Sequence, residues 1–90
     1  MRTPVYTRQF ERDIRRAEKR GKNLEKLKII VRALIAGGKL DALHREHQLV
    51  GNYVGRRECH IEADWLLIYK IEEERVIFER TGSHSDLFKK

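Results

Sequence analysis

Ninety residues is the length of one domain, and a chain this short hides about 60–70% of its unfolded surface, enough for one modest core. Hydrophobic residues make up 40% and charged residues 38%, with 20 Lys and Arg against 14 Asp and Glu, a formal charge of +6 and a pI near 9.8, an excess that suits an anionic partner. The longest apolar run, Trp65 to Tyr69, falls far short of the ~20 residues of a membrane span; the first residues carry charge and no apolar core, so no secretory signal is expected; and the single Cys59 permits no internal disulfide and fits a reducing cytoplasm.

The charge is uneven. Residues 1–39 hold 12 Lys/Arg and 4 Asp/Glu, whereas residues 40–90 hold 8 and 10, so the first part should carry a positive field able to steer phosphate backbones. The plainer reading is a pair of solvated helices, with Glu11–Arg15 and Glu18–Lys22 paired at i,i+4 spacing.

Pro4 to Thr7 can form a short leading strand. Thr7 suits a helix N-cap, and Phe10, Ile14 and Ala17 follow on one helical face until Gly21 ends it. Asn23 can cap a second helix, in which Leu24, Leu27, Val31, Leu34 and Ile35 keep helical spacing up to Gly37-Gly38. Two helices so closely joined read as an antiparallel hairpin. After Gly38 the period changes to two. A short strand is expected near Glu46 to Val50, then the loop Gly51 to Gly55. From Arg56 to Ala63 the chain alternates, placing His60 with Glu58 and Glu62 on a polar face opposite Cys59 and Ile61. Trp65 to Ile71 and Val76 to Thr81 read as further strands around a charged turn, Glu72 to Arg75. The sum is one α+β domain over residues 1–90: a helical hairpin packed on an antiparallel sheet of about four strands, with Leu27, Val31, Leu34, Cys59, Ile61, Leu67 and Ile71 in the core.

All four histidines, His44, His47, His60 and His84, fall in the second half of the chain. Imidazole titrates nearest neutrality, so it can both take and give a proton. A metal site is not expected, because Cys59 and His60 are adjacent on a strand and point to opposite faces. Cys59 lies on the core face, a poor place for a nucleophile, and Gly51 and Gly55 are too sparse for a phosphate loop.

Three blocks carry a more specific signal: His47-Gln48-Leu49-Val50-Gly51, then Arg57 to Tyr69 with His60 followed by Asp64-Trp65, then Arg80-Thr81-Gly82-Ser83-His84-Ser85-Asp86-Leu87-Phe88. In this order and at these separations they resemble the YafQ branch of the RelE toxin superfamily, over almost the whole chain. Gln48 stands where a proline is common in the family.

The resemblance implies a RelE-like fold and a type II toxin, a ribosome-dependent endoribonuclease that cuts mRNA in the decoding site and is silenced by a cognate antitoxin protein. It places function on His47, His60, Asp64, His84 and Phe88, with Arg80 and Trp65 as candidates for RNA contact, although Trp65 equally suits the sheet core. Cleavage through the 2′-hydroxyl needs a base, an acid and stabilisation of the phosphorane, which three histidines and a carboxylate can supply without cofactor or metal. Asp64 is expected to be the base or to orient His60, His84 to be the acid, and Phe88 to stack on a nucleobase. The implied partners are the antitoxin, ribosomal RNA and mRNA, with no membrane and with DNA reached only through the antitoxin. The alternative is a non-catalytic basic module that binds RNA or protein.

Overall fold

The structure, a computed structural model, describes residues 1–49 and 51–88; Val50, Lys89, Lys90 and the side chain of Asn52 lie outside what is described. Thr7 caps the first helix as its position suggests: its Oγ1 accepts the N–H of Phe10 at 3.0 Å and donates to the carbonyl of Glu79 at 3.0 Å. One side chain thus starts helix α1 (Arg8–Lys19) and fastens it to a strand from the far end of the chain. Gly21, at φ 79°, turns the chain out of α1 in the left-handed conformation that side chains resist. Asn23 then caps α2 (Leu24–Ala36) through the N–H of Glu25.

Five strands form one sheet: β1 (Thr3–Tyr6), β2 (His47–Gln48), β3 (Arg57–Glu62), β4 (Trp65–Glu72) and β5 (Arg75–Gly82), in the order β1-β5-β4-β3-β2. The α+β class is as expected, but the sheet is mixed rather than purely antiparallel. The leading segment is a true strand and runs parallel to β5, Thr3 opposite Arg75 and Tyr6 opposite Phe78. The strand itself was expected; its parallel pairing was not, because a partner so far along the chain leaves no local turn signal. At the other edge the expected Glu46–Val50 strand shrinks to two residues within the described chain, paired with β3. Single 3-10 turns occupy Ala42–His44 and Gly51–Tyr53, and a last helical turn, α3 (His84–Leu87), follows β5.

The main core lies between the helices and one sheet face, where Phe10, Ala17, Leu27, Ile30 and Leu34 meet Cys59, Ile61, Trp65, Leu67, Tyr69, Val76 and Phe78. Val31 and Ile71, expected within it, are half-buried at its margin. Tyr6, Phe10 and Phe78 stack with centroids 5.5–6.1 Å apart, and burying a ring such as Phe10 contributes about 1.5–3 kcal/mol. The opposite face carries a smaller cluster, in which Leu66, Ile68 and Leu87 pack with Leu49 and Tyr53. Both faces of β4 are therefore covered, which is why Trp65 to Tyr69 is continuously apolar.

A register shift between Ile68 and Tyr69 leaves Glu79 as the extra residue of a bulge in β5. β1 stops at the same level, and α1 takes over the uncovered edge: besides Thr7, the buried Asp13 accepts the N–H of Thr81 at 3.1 Å. An edge donor that would otherwise be unmet is satisfied from a helix.

Candidate active site

His60 projects from β3 onto the sheet face that bears Leu66 and Ile68, opposite the main core, as the alternation required. The register then places two further side chains on that face. His47 of β2 stands opposite Glu58, and its Nε2 lies 3.2 Å from the Glu58 carboxylate, while its Nδ1 is 3.1 Å from the carbonyl of Arg45. A proton on one of the two partners is needed to make the His47–Glu58 contact. The His47 and His60 rings are 6.5 Å apart between centroids.

His84 reaches the same site from the first position of α3, its ring centroid 5.8 Å from that of His60. α3 is a capped helical turn. Ser83 and Asp86 form a reciprocal capping box, Asp86 N–H to Ser83 Oγ at 3.1 Å and Ser83 N–H to Asp86 Oδ2 at 2.9 Å. Asp64, in the turn between β3 and β4, accepts from the backbone N–H of His84 at 2.8 Å and meets its Nδ1 at 2.6 Å. Asp64 therefore orients His84, not His60. With Nδ1–H given to Asp64, the His84 tautomer presents Nε2 away from the carboxylate. Phe88, just past α3, lies 6.4 Å from the His84 ring and takes the edge of Tyr53 at 5.7 Å.

The electrostatics divide the residues further. Burial is the largest influence on His60 and pushes its pKa down; Glu58 opposes this, and the positive or proton-bearing neighbours His84, Arg45 and His47 add to it. The His60 Nδ1 is enclosed without a hydrogen-bond partner. The hydrogen bonds from His84, backbone first and then side chain, lower the Asp64 carboxyl. Cys59, on the core face as expected, has its thiol pushed up to about 12, chiefly by burial, which removes it as a nucleophile. Among the described residues no three His, Cys, Asp or Glu side chains are grouped to hold a metal ion.

The sequence candidates thus separate. His47, His60, Asp64, His84 and Phe88 converge on one open surface. Trp65 does not: it is 1% exposed in the main core, with its Nε1–H donated to Thr81 Oγ1 at 3.0 Å, so no base can stack on it. Arg80 gives Nε and Nη2 to the buried Asp13 at 2.8 and 3.2 Å, which holds the guanidinium against α1. Asp13 also accepts from Arg16 and Gln9. Sequence reasoning missed Glu58, read as one of several solvated polar-face residues, and the signal lay only in its cross-strand partner. It also missed Asp13, whose place in the second turn of a basic helix looks like ordinary surface charge. His44, assigned no role, rests its Nδ1 against the carbonyl of His60 at 2.8 Å.

The basic helix is less neutralised than its sequence suggests. Neither Glu11–Arg15 nor Glu18–Lys22 forms an ion pair; Lys22 turns instead, with Lys26, to Glu62. Among the described residues, Arg8, Arg12, Arg15 and Lys19 make no ion pair, and all four are exposed along α1.

Comparison with known proteins gives consistent matches over nearly all of the chain. Residues 2–89 match the family model described as a bacterial toxin of type II toxin-antitoxin system, YafQ. The mRNA interferase toxin YafQ of Escherichia coli K12 is 42% identical over 84 residues, which span 92% of this chain and 91% of that protein. The crystal structure of the E. coli DinJ-YafQ toxin-antitoxin complex superposes with a TM-score of 0.91 at 41% identity, covering 97% of each chain. That of a metal-bound toxin from Helicobacter pylori gives 0.90 at 34% identity, covering 98% of this chain and 100% of that one.

Proposed function

We propose that this chain, which belongs to the YafQ family of type II toxin-antitoxin toxins, is an endoribonuclease that cuts mRNA in the decoding site of the ribosome by metal-independent acid–base catalysis. The observation that carries the reading is the pairing of His60 and His84 across 5.8 Å on an open surface, with His84 held by Asp64 and His60 pushed toward its neutral form.

A neutral His60 is suited to take the proton of a ribose 2′-hydroxyl. The 2′-oxygen then attacks the adjacent phosphorus, and the 5′-oxygen leaves with a proton from Nε2 of a doubly protonated His84, whose Nδ1–H stays on Asp64. The products are a 2′,3′-cyclic phosphate and a 5′-hydroxyl, and each histidine ends in the protonation state in which the other began. His47 stands beside His60, where a protonated ring supports the charge of the phosphorane. Phe88, 37% exposed, offers an aromatic face to a neighbouring base. Each proton transfer proposed here is assigned to a histidine of this chain, and none is routed through a metal.

The partners follow from charge. Arg8, Arg12, Arg15 and Lys19 face outward on one helix, a stripe suited to the phosphate backbone of ribosomal RNA. An acidic antitoxin, encoded with the toxin, would cover the same positive field; the E. coli relative forms a toxin-antitoxin complex with DinJ. DNA would be reached through that antitoxin. No helix among the described residues is long and apolar enough to cross a membrane, and the proposed target places the protein in the cytoplasm.

The test is to add the protein to a translating extract and map new 5′ ends on the message. Cuts that keep step with the reading frame support the reading. A protein that blocks translation equally well as wild type, His60→Ala and His84→Ala, with no cuts, is a binding module instead.

A further inference from the structure

Asp86 makes no contact with the histidine cluster, yet it ties α3 to the end of α1. Its carboxylate accepts from Arg20, just past the end of α1, in a two-point contact: Nη1 to Oδ2 at 2.7 Å and Nη2 to Oδ1 at 3.3 Å. Arg16, one turn earlier, approaches the same oxygen at 3.8 Å. The carboxylate also closes the capping box with Ser83, the residue immediately before His84. Gly82 supplies an independent sign that the fit is tight: a Cβ there would stand 2.9 Å from Asp86 Cβ and 3.0 Å from its Oδ2. The strand end, the cap and the ion pair meet at one point, two residues from the histidine.

We infer that Asp86, clamped by Arg20, is a positioning residue for His84: it fixes the first turn of α3 so that the imidazole meets Asp64 on one side and faces His60 on the other. α3 is one turn long and cannot hold its own conformation. Leu87 anchors its far side in the smaller core cluster, and Asp64 holds the backbone N–H of His84. The two-point guanidinium–carboxylate contact adds a further hold on rotation about the helix axis, because it has direction as well as strength. The inference rests on the proposed role of His84, and it adds residues that touch neither substrate nor the reacting atoms.

Charge gives the test its sign. Asp86 is an acidic group beside a basic RNA-facing helix, so Asp86→Asn makes the surface more positive. If only attraction to RNA mattered, this variant would bind ribosomes at least as well and cut at least as fast. Positioning requires the reverse. The asparagine oxygen still accepts the Ser83 N–H, so the cap and the fold are retained.

The experiment measures cleavage on programmed ribosomes, melting, and the His84 ring signals by NMR for Asp86→Asn, Arg20→Met, Arg20→Lys and the double variant Arg20→Met/Asp86→Asn. The expected result is a kcat about tenfold lower for Asp86→Asn with KM unchanged, partial recovery in Arg20→Lys relative to Arg20→Met, and a double variant no worse than either single one. The His84 ring signals should move in Asp86→Asn. A wild-type kcat with unmoved His84 signals overturns the inference, as does a loss confined to KM. Should His84→Ala cut normally while the His84 signals still move in Asp86→Asn, the clamp stands and the catalytic reading of His84 falls.

Discussion

Asp64 receives two hydrogen bonds from one residue: the backbone N–H and the ring Nδ1 of His84 both reach its Oδ1, at 2.8 and 2.6 Å. A single carboxylate oxygen therefore sets both the placement of α3 and the tautomer of its histidine. Both side chains are more than half exposed, so the pair adds little to global stability. Asp64→Asn keeps an acceptor but loses the charge, and Asp64→Ala loses both. Cleavage should fall about 10-fold in the first and about 100-fold or more in the second, with melting nearly unchanged. Equal rates for the three proteins would remove Asp64 from the site.

The pH dependence separates His60 from Asp64. The Asp64 carboxyl is lowered from its ordinary 3.8, so it stays ionised and keeps its contact with His84 until pH falls below that value. His60 is lowered from 6.5, so its ring is neutral at pH 7 and gains a proton only as pH falls below 6.5. The acid limb of kcat/KM should therefore lie below 6.5 and be set by His60. Because the native ring resists protonation more than the unfolded one, stability should also decline across that interval as pH falls. Replacing Glu58, whose charge opposes the shift, by Gln should move the limb to still lower pH. A limb at or above 6.5 in the native protein contradicts this assignment.

How much of this was legible in the sequence depended on how local each signal was. Thr7, Gly21 and Asn23 act within a few residues of themselves, and each marks a helix end as read. The alternation from Arg57 to Glu62 placed His60 and Cys59 on their proper faces. What escaped depended on contacts between distant segments. The leading strand was expected, but its parallel pairing with a strand at the other end of the chain was not, and Glu58 acquires meaning only from the register that sets it against His47. Asp13 and Asp86 look like members of charged stretches until Arg80 and Arg20 are brought to them by the fold. Trp65 followed the motif but belongs to the core, because the apolar run that contains it is buried on both faces.

Arg80 gives a prediction about folding rather than binding. Its partner Asp13 is 1% exposed and also accepts from Arg16, Gln9 and the N–H of Thr81. Removing Arg80 leaves a buried carboxylate with fewer partners, at a cost of about 1–3 kcal/mol. Arg80→Ala should therefore lower melting and cleavage together. Arg80→Ala/Asp13→Asn should recover part of the stability, since a buried charge that has lost one of its two guanidinium partners is gone. If Arg80→Ala melts like wild type and loses only affinity for ribosomes, the guanidinium serves RNA directly.

Phe88 tests whether an aromatic at the end of the chain serves the core or the substrate. Its ring is 37% exposed, it does not belong to either apolar cluster, and its neighbours are the edge of Tyr53 and the tilted His84 ring. Leu87, the preceding residue, is the one that enters the smaller cluster. Phe88→Ala should therefore change stability little, whereas Leu87→Ala should lower it by about 2–4 kcal/mol through lost burial and the cavity left behind. Stacking of one base on an aromatic ring contributes about 1–3 kcal/mol, so Phe88→Ala should slow cleavage about 5- to 150-fold. Phe88→Trp, which keeps a stacking face, should retain most of the rate. Tyr53→Leu should give a smaller loss, because it removes the edge that steadies the Phe88 ring and leaves the ring itself. Parallel losses of melting and cleavage in Phe88→Ala, like those of Leu87→Ala, would make Phe88 a cap on the core and not a base-stacking residue.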